Sequence, residues 1–231
     1  MPGQADRFLI LGGTAEAAKL AEDLTQKGGA EIITSLAGRT IAPVSLPGLV
    51  RIGGFGGVDG LVRFLATERI THVFDATHPF AMKISANATS ACAQTGIPLT
   101  ILARAAWERH PDDLWIEVDT LEAAAEALPH GAVVFLALGR QHIDVFAGRH
   151  DCRFVLRMID APADPLAFTN STIILGKAQG DWEAEKQLLK THAITHIVAR
   201  NSGGKASYGK IIAARSLRRP VIMIGRGQYN A

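Results

Sequence analysis

The feature that most limits the fold of this chain is an alternation running from end to end: a short apolar run of strand length, then a stretch of helical spacing, then another apolar run. The runs fall at residues 8–11, 31–35, 49–52, 72–75 and 99–102, and again at 133–138, 154–158, 172–175, 196–199 and 221–224. Between them, Ala17, Leu20, Ala21 and Leu24 share one helical face, as do Leu61, Phe64 and Leu65, and Ile84, Ala88, Ala91 and Cys92; Leu188 and Leu189 lie on a later helix. Strands that are apolar throughout, separated by helices, belong in parallel sheets covered on both faces. Right-handed crossovers then make such a sheet doubly wound.

A repeat divides the chain. Ile70-Thr71-His72-Val73 matches Ile194-Thr195-His196-Ile197, and each copy leads through a polar loop and a helical pattern to a proline-led strand ending in arginine, Arg104 or Arg226. The polar stretch His110-Pro111-Asp112-Asp113 reads as a linker. The expected architecture is therefore α/β, with two Rossmann-like doubly wound lobes, parallel sheets and a cleft between the lobes. The expected domains are residues 1–112 and 113–231. Ligands of open α/β sheets bind beyond the carboxyl ends of the strands, so the site is expected there.

Composition narrows the function. A net charge of +2 gives no concentrated basic face, so nucleic acid is not an expected partner. No run of membrane-spanning length and no leader pattern is visible, which makes the cytoplasm the expected compartment and excludes a membrane partner. Cys92 and Cys152 read as buried free thiols, and without CxxC spacing no metal site is expected. His192 and His196 are four apart but lead into a strand, and His72 holds the same pre-strand place as His196, so these read as structural histidines.

Several turns carry chemistry. Gly12-Gly13-Thr14 stands between the first strand and the first helix, where backbone N–H groups and a helix N-terminus favour a pyrophosphate. The second strand ends in Ser35, with Arg39 just after it and no acidic residue; a hydroxyl plus a guanidinium suits a ribose 2′-phosphate, hence NADPH. Gly54 lies in the glycine loop Gly53-Gly54-Phe55-Gly56-Gly57. In Asp75-Ala76-Thr77-His78-Pro79-Phe80, Asp75 and Thr77 are expected to cap the next helix, with Pro79 in its first turn, and Thr77 and His78 to reach the cofactor's edge. In the second half, Ser202, Gly203, Gly204, Lys205 and Lys210 offer a cradle for carboxylate or phosphate. Tyr208 and Lys210 are two apart, which is not the helical spacing of a short-chain dehydrogenase pair.

Taken together these strings resemble the precorrin-6A reductase family of cobalamin biosynthesis. The resemblance rests on Leu11-Gly12-Gly13-Thr14-Ala15-Glu16, the glycine loop with Gly60-Leu61, Asp75-Ala76-Thr77-His78-Pro79-Phe80-Ala81 and Ile84-Ser85 with Asn87-Ala88. It continues through Asn201-Ser202-Gly203-Gly204 with Lys210, and Ala213-Ala214-Arg215 before Pro220-Val221. The chain departs from the family pattern at Arg104-Ala105-Ala106-Trp107, at Gly176 to Trp182, at Arg200 where a lysine is usual, and at Gly225-Arg226-Gly227.

The resemblance implies an enzyme that passes hydride from NADPH to one double bond of the precorrin-6A macrocycle, giving precorrin-6B. With the turns read above, an NADPH-binding first domain is expected, using Gly12, Gly13, Thr14, Ser35, Arg39, Gly54, Asp75, Thr77 and His78. The second domain would hold the tetrapyrrole's carboxylates through Arg140, Ser202, Gly203, Gly204, Lys205, Lys210 and Arg226. No side chain stands out as the catalytic acid. Handing the product to neighbouring pathway enzymes is a further expectation. Two alternatives are an NADPH reductase of another polyanionic substrate and a non-catalytic NADP(H)-binding redox sensor.

Overall fold

The computed structural model describes residues 5–38, 45–178 and 180–226. The chain divides into two compact units that meet at the Ala103–Arg104 bond. The first holds β1 (Asp6–Leu11), α1 (Ala15–Lys27), β2 (Ala30–Leu36), β3 (Leu49–Ile52), α2 (Val58–Thr67), β4 (His72–Asp75), α3 (Met82–Thr95) and β5 (Leu99–Ile101). Its sheet runs β3-β2-β1-β4-β5, with every pairing parallel. The inner strands β1 and β2 carry their apolar residues where both faces are covered, while the edge strands β3 and β5 stay largely exposed. Leu9, Leu11 and Ile33 pack with Leu61, Leu65, Ala88 and Ala91 of α2 and α3. Ile10 and Ile32 pack instead with Ala17 and Ala21 of α1.

The second unit holds β6 (Trp115–Val118), α4 (Leu121–Glu126), β7 (Val133–Leu136), β8 (Arg153–Met158), β9 (Ser171–Leu175), α5 (Trp182–Thr191), β10 (His196–Arg200), α6 (Gly209–Ser216) and β11 (Val221–Ile224). Short 3-10 turns lie at Arg140–His142, Asp144–Phe146 and Lys205–Ser207. This sheet is also wholly parallel, in the order β6-β11-β10-β7-β8-β9. Read from β9, the series β9-β8-β7-β10-β11 repeats the order of the first sheet, with β6 added at one edge. Both expected parallel-sheet lobes are present.

The sequence repeat has a structural cause. Thr71, just before β4, donates its N–H to Arg7 O (2.8 Å) and accepts the Arg7 N–H on Oγ1 (3.1 Å). Thr195, just before β10, does the same with Val133 of β7 (2.8 and 2.9 Å). Each threonine latches the fourth strand of its sheet order to the central strand. The matched histidines follow: His72 Nε2 meets Thr100 Oγ1 (2.8 Å) and His196 Nδ1 meets Thr195 Oγ1 (2.9 Å).

Two elements were not read from the sequence, β6 and α4. The stretch at His110–Asp113, expected to be a linker, belongs to the second unit, ahead of which the division falls. Asp113 is 3% exposed, accepts the His110 N–H (2.8 Å) and pairs with Arg215 on α6 (2.8 Å), so this polar stretch is tied down. Cys92 and Cys152 are buried and free. Among the described residues, no helix is long and apolar enough to cross a membrane.

Candidate cofactor and substrate sites

In the first unit the chain reverses its direction across the sheet between β1 and β4, the switch point where ligands of such sheets collect. Gly12 donates its N–H to Ser35 O (2.9 Å), which extends β1 by one bond. Gly13 then turns with φ +107°, a conformation that a side chain would resist. Thr14 caps α1: its Oγ1 accepts the Ala17 N–H (3.1 Å) and donates to Ala76 O (2.8 Å). That second bond ties the start of α1 to the carboxyl end of β4. The free N–H groups and positive dipole end of this 13-residue helix therefore open at the switch point.

Ser35 and Arg51 are direct partners in the β2–β3 register. Arg51 Nη1 donates to Ser35 Oγ (3.1 Å) and Gly53 O (2.5 Å), and Nη2 donates to Gly54 O (2.7 Å). The guanidinium lies 3.9 Å over the Phe55 ring. The glycine loop is thus held by its carbonyls, Gly54 among them, by an arginine that sequence reasoning missed. The signal was present as a lone basic residue in an otherwise apolar strand that leads into glycines. Arg39 lies outside the described residues.

At the end of β4, Asp75 is 3% exposed and turned inward. Its Oδ1 accepts from Thr77 N (3.1 Å) and Thr77 Oγ1 (2.7 Å), and Thr77 Oγ1 also meets Ser85 Oγ (3.3 Å). The expected helix cap is corrected here. Asp75 closes a turn on the residue two ahead, and a second turn follows, with Ala81 N donating to His78 O (2.7 Å). The helix α3 therefore starts only at Met82, past Pro79. His78 Nδ1 accepts the Phe80 N–H (3.2 Å).

In the second unit the equivalent switch point lies between β7 and β10. Arg140 follows β7 after Gly139 and is exposed; Ser202, Gly203, Gly204 and Lys205 follow β10; Arg226 follows β11. Ser202 is buried and Lys205 exposed. The glycines have a packing reason of their own. A Cβ on Gly203 would stand 1.8 Å from Ala105 O, because the segment entering this unit crosses directly over the loop. Asn201 clamps that segment, accepting the Trp107 N–H on Oδ1 (2.6 Å) and donating from Nδ2 to Trp107 O (3.0 Å). Arg226 donates to Asn201 O from Nε (2.8 Å) and to Arg104 O from Nη1.

Two guanidiniums consequently flank the loop. A Cβ on Gly203 would lie 2.7 Å from Arg226 Nη2, and one on Gly204 would lie 2.8 Å from Arg104 Nη1. Burial, and then the like charge of Arg104, push the Arg226 pKa below its ordinary value. Arg104 is the second site residue that sequence reasoning missed, having read it only as a strand end. Lys210 is elsewhere. It is 6% exposed on α6, donates to Ser207 O (2.6 Å) and lies 5.2 Å over the Trp107 ring. Burial holds its pKa down to about 8, with Glu185 opposing and Arg157 adding to the shift. It braces the turn after the loop instead of standing beside Lys205.

The donors at the first switch point fit a dinucleotide: a capped helix start, a glycine turn, a hydroxyl and a fixed guanidinium. The second offers cations to carboxylates. A family model described as precorrin-6x reductase CbiJ/CobK matches residues 7–231. The precorrin-6A reductase of Rhodobacter capsulatus is 47% identical over 221 residues, which cover 95% of this chain and 88% of that protein. That of Rhodococcus erythropolis is 43% identical over 221 residues, covering 95% and 89%. A solved structure of CobK precorrin-6A reductase matches with a TM-score of 0.93 and 46% identity, over 98% of this chain and 90% of that one. With a family match over nearly its whole length, this chain belongs to the precorrin-6x reductase CbiJ/CobK family.

Proposed function

We propose that the protein reduces one double bond of precorrin-6A with NADPH, giving precorrin-6B. The observation that carries this reading is the first switch point, where the capped start of α1, Ser35 and the Arg51-held glycine loop converge on one sheet edge in a chain of a reductase family. Gly12, Gly13 and Thr14 would hold the pyrophosphate; Ser35 and Arg39 would read the ribose 2′-phosphate; Gly54, Thr77 and His78 would border the cofactor. Asp75 acts through Thr77, whose turn it fixes. When bound, the nicotinamide supplies the hydride.

In the second unit, Arg140, Lys205 and the Ser202–Gly204 backbone would take the macrocycle's carboxylates, with Arg226 and Arg104 setting the positive field around them. Lys210 supports that loop from below. These residues bind and orient; the protein's share of catalysis is placement and charge complementarity. The carbon next to the hydride acceptor takes its proton from water, so one NADPH and one proton are consumed per double bond. The test is NADPH oxidation with purified precorrin-6A, with the product's mass followed. Equimolar oxidation and a two-hydrogen mass gain are expected. Tight NADPH binding without turnover on the macrocycle would leave a redox sensor as the better reading.

A further inference from the structure

The arginines of this protein that are held by several hydrogen bonds mostly face a carboxylate. Arg7 pairs with Glu31 and Glu68, Arg149 with Asp151, Arg157 with Glu185 and Arg215 with Asp113. Arg51 differs. It is held from three sides, yet all three acceptors are neutral oxygens, and among the described residues no carboxylate lies within ion-pair distance. Burial is the cause that holds its pKa below the ordinary value, so the charge is partly desolvated without being compensated.

The bonding pattern leaves a defined edge. Both Nη1 hydrogens are used, on Ser35 and Gly53, and one Nη2 hydrogen is used on Gly54. The Nε–H and one Nη2–H have no protein acceptor among the described residues, and a guanidinium with those two donors left can take two oxygens of one phosphate. Stacking on Phe55 at 3.9 Å fixes the plane of that fork. Ser35, which Arg51 touches, stands at the carboxyl end of β2, where parallel-sheet dinucleotide folds read the adenosine ribose.

We propose that Arg51 is a specificity-determining residue that binds the 2′-phosphate of the dinucleotide through its Nε–Nη2 edge, with Ser35 and Phe55 holding the fork in place. The inference rests on the NADPH reading above and adds Arg51 to Ser35 and Arg39 as a residue that reads the 2′-phosphate. An arginine preorganised in this way loses little rotamer freedom on binding, so its preference for a phosphate over a ribose hydroxyl is felt almost in full.

The experiment is calorimetric titration of wild type, Arg51→Gln and Arg51→Lys with NADP+, NAD+, adenosine 2′,5′-bisphosphate and 5′-AMP, alongside thermal melts. Wild type is expected to bind NADP+ about tenfold or more tighter than NAD+, as one charge-assisted bond allows. Arg51→Gln should lose about tenfold for NADP+ and for the bisphosphate, with NAD+ and 5′-AMP changed less than about twofold. Arg51→Lys keeps the charge but not the fork, and should recover part of the preference; it also decides the matter if the Gln variant fails to fold. Equal losses for both dinucleotides would reduce Arg51 to a clamp on the glycine loop and overturn the proposal. An intact NADP+ preference in the variants would overturn it too. If wild type binds neither dinucleotide, the cofactor reading itself falls, and this inference with it.

Discussion

Lys210 is the residue whose surroundings depart furthest from what its type suggests. A lysine among glycines and hydroxyls reads as an anion ligand, yet its amine is sealed against Ser207 O and the Trp107 ring, near the buried Glu185–Arg157 pair. Its folded pKa of about 8 lies below the ordinary 10.5. Between those values the unfolded chain binds more protons than the folded one, so stability rises with pH across that window and levels above it. The effect is about 3 kcal/mol for a shift of this size. Urea melts at about pH 7.5 and about pH 10, with wild type compared to Lys210→Met, check this. Wild type should gain on the variant as pH rises, and equal slopes would mean that the amine is solvated. Lys205 is the opposite case. It is exposed at the carboxyl edge of the second sheet, so Lys205→Ala should raise the macrocycle's KM about fivefold to tenfold, given one partly screened charge contact. Its NADPH affinity should hold, and an unchanged KM would remove Lys205 from the substrate site. The glycine pair beside it shows why site residues were only partly legible. Gly203 is demanded by the Ala105 carbonyl that crosses it, a contact between distant positions that no local pattern encodes.

Element by element, the apolar runs gave away every strand except β6: the inner strands because burial on both faces demands apolar residues, and the edge strands β3, β5 and β9 because they keep apolar runs even where exposed. The strand β6 is a four-residue edge strand in which only Trp115 is buried, with Ile116 42% exposed and Glu117 interrupting its apolar run. The helix α4 is six residues, half of them alanine, too short for a periodic stripe. The helix ends hold a feature that composition hides. Arg69, Ala193 and Arg218 follow α2, α5 and α6 with φ near +51°, where glycine is the usual residue. In each case the next N–H closes back on the helix, as Ile70 does to Leu65 O and Ile194 to Leu189 O, both at 2.9 Å. A left-handed non-glycine residue costs about 1 kcal/mol. Ala193→Gly is therefore expected to stabilise the protein by about 0.5 kcal/mol after the glycine's extra chain entropy, and to raise Tm by about 1–2 °C. A lower Tm would mean that the Ala193 methyl packs in a way that outweighs its backbone cost.

At the scale of the whole molecule, one strand order is used twice with different chemistry at each carboxyl edge. The first sheet closes its switch point with glycines, a helix cap and a clamped loop; the second closes it with a basic loop. Each unit also has cores of its own, drawn from its own strands and helices. Ligand binding should then protect each unit where its edge loops lie, and hydrogen exchange read by mass spectrometry separates the two. NADP+ at saturating concentration should slow exchange in residues 12–17, 35–38, 53–58 and 76–81, because those backbones surround the first switch point. Precorrin-6A should instead slow exchange in residues 139–142 and 201–208. Binding at about 100 times Kd stabilises the folded form by about 2.7 kcal/mol, but local protection depends on which amides the ligand covers and not on that total. The expected result is therefore two disjoint footprints. If NADP+ protects the second-unit loops and leaves the first unchanged, the cofactor and substrate roles given to the two sheets are reversed, and every residue assignment above changes side with them.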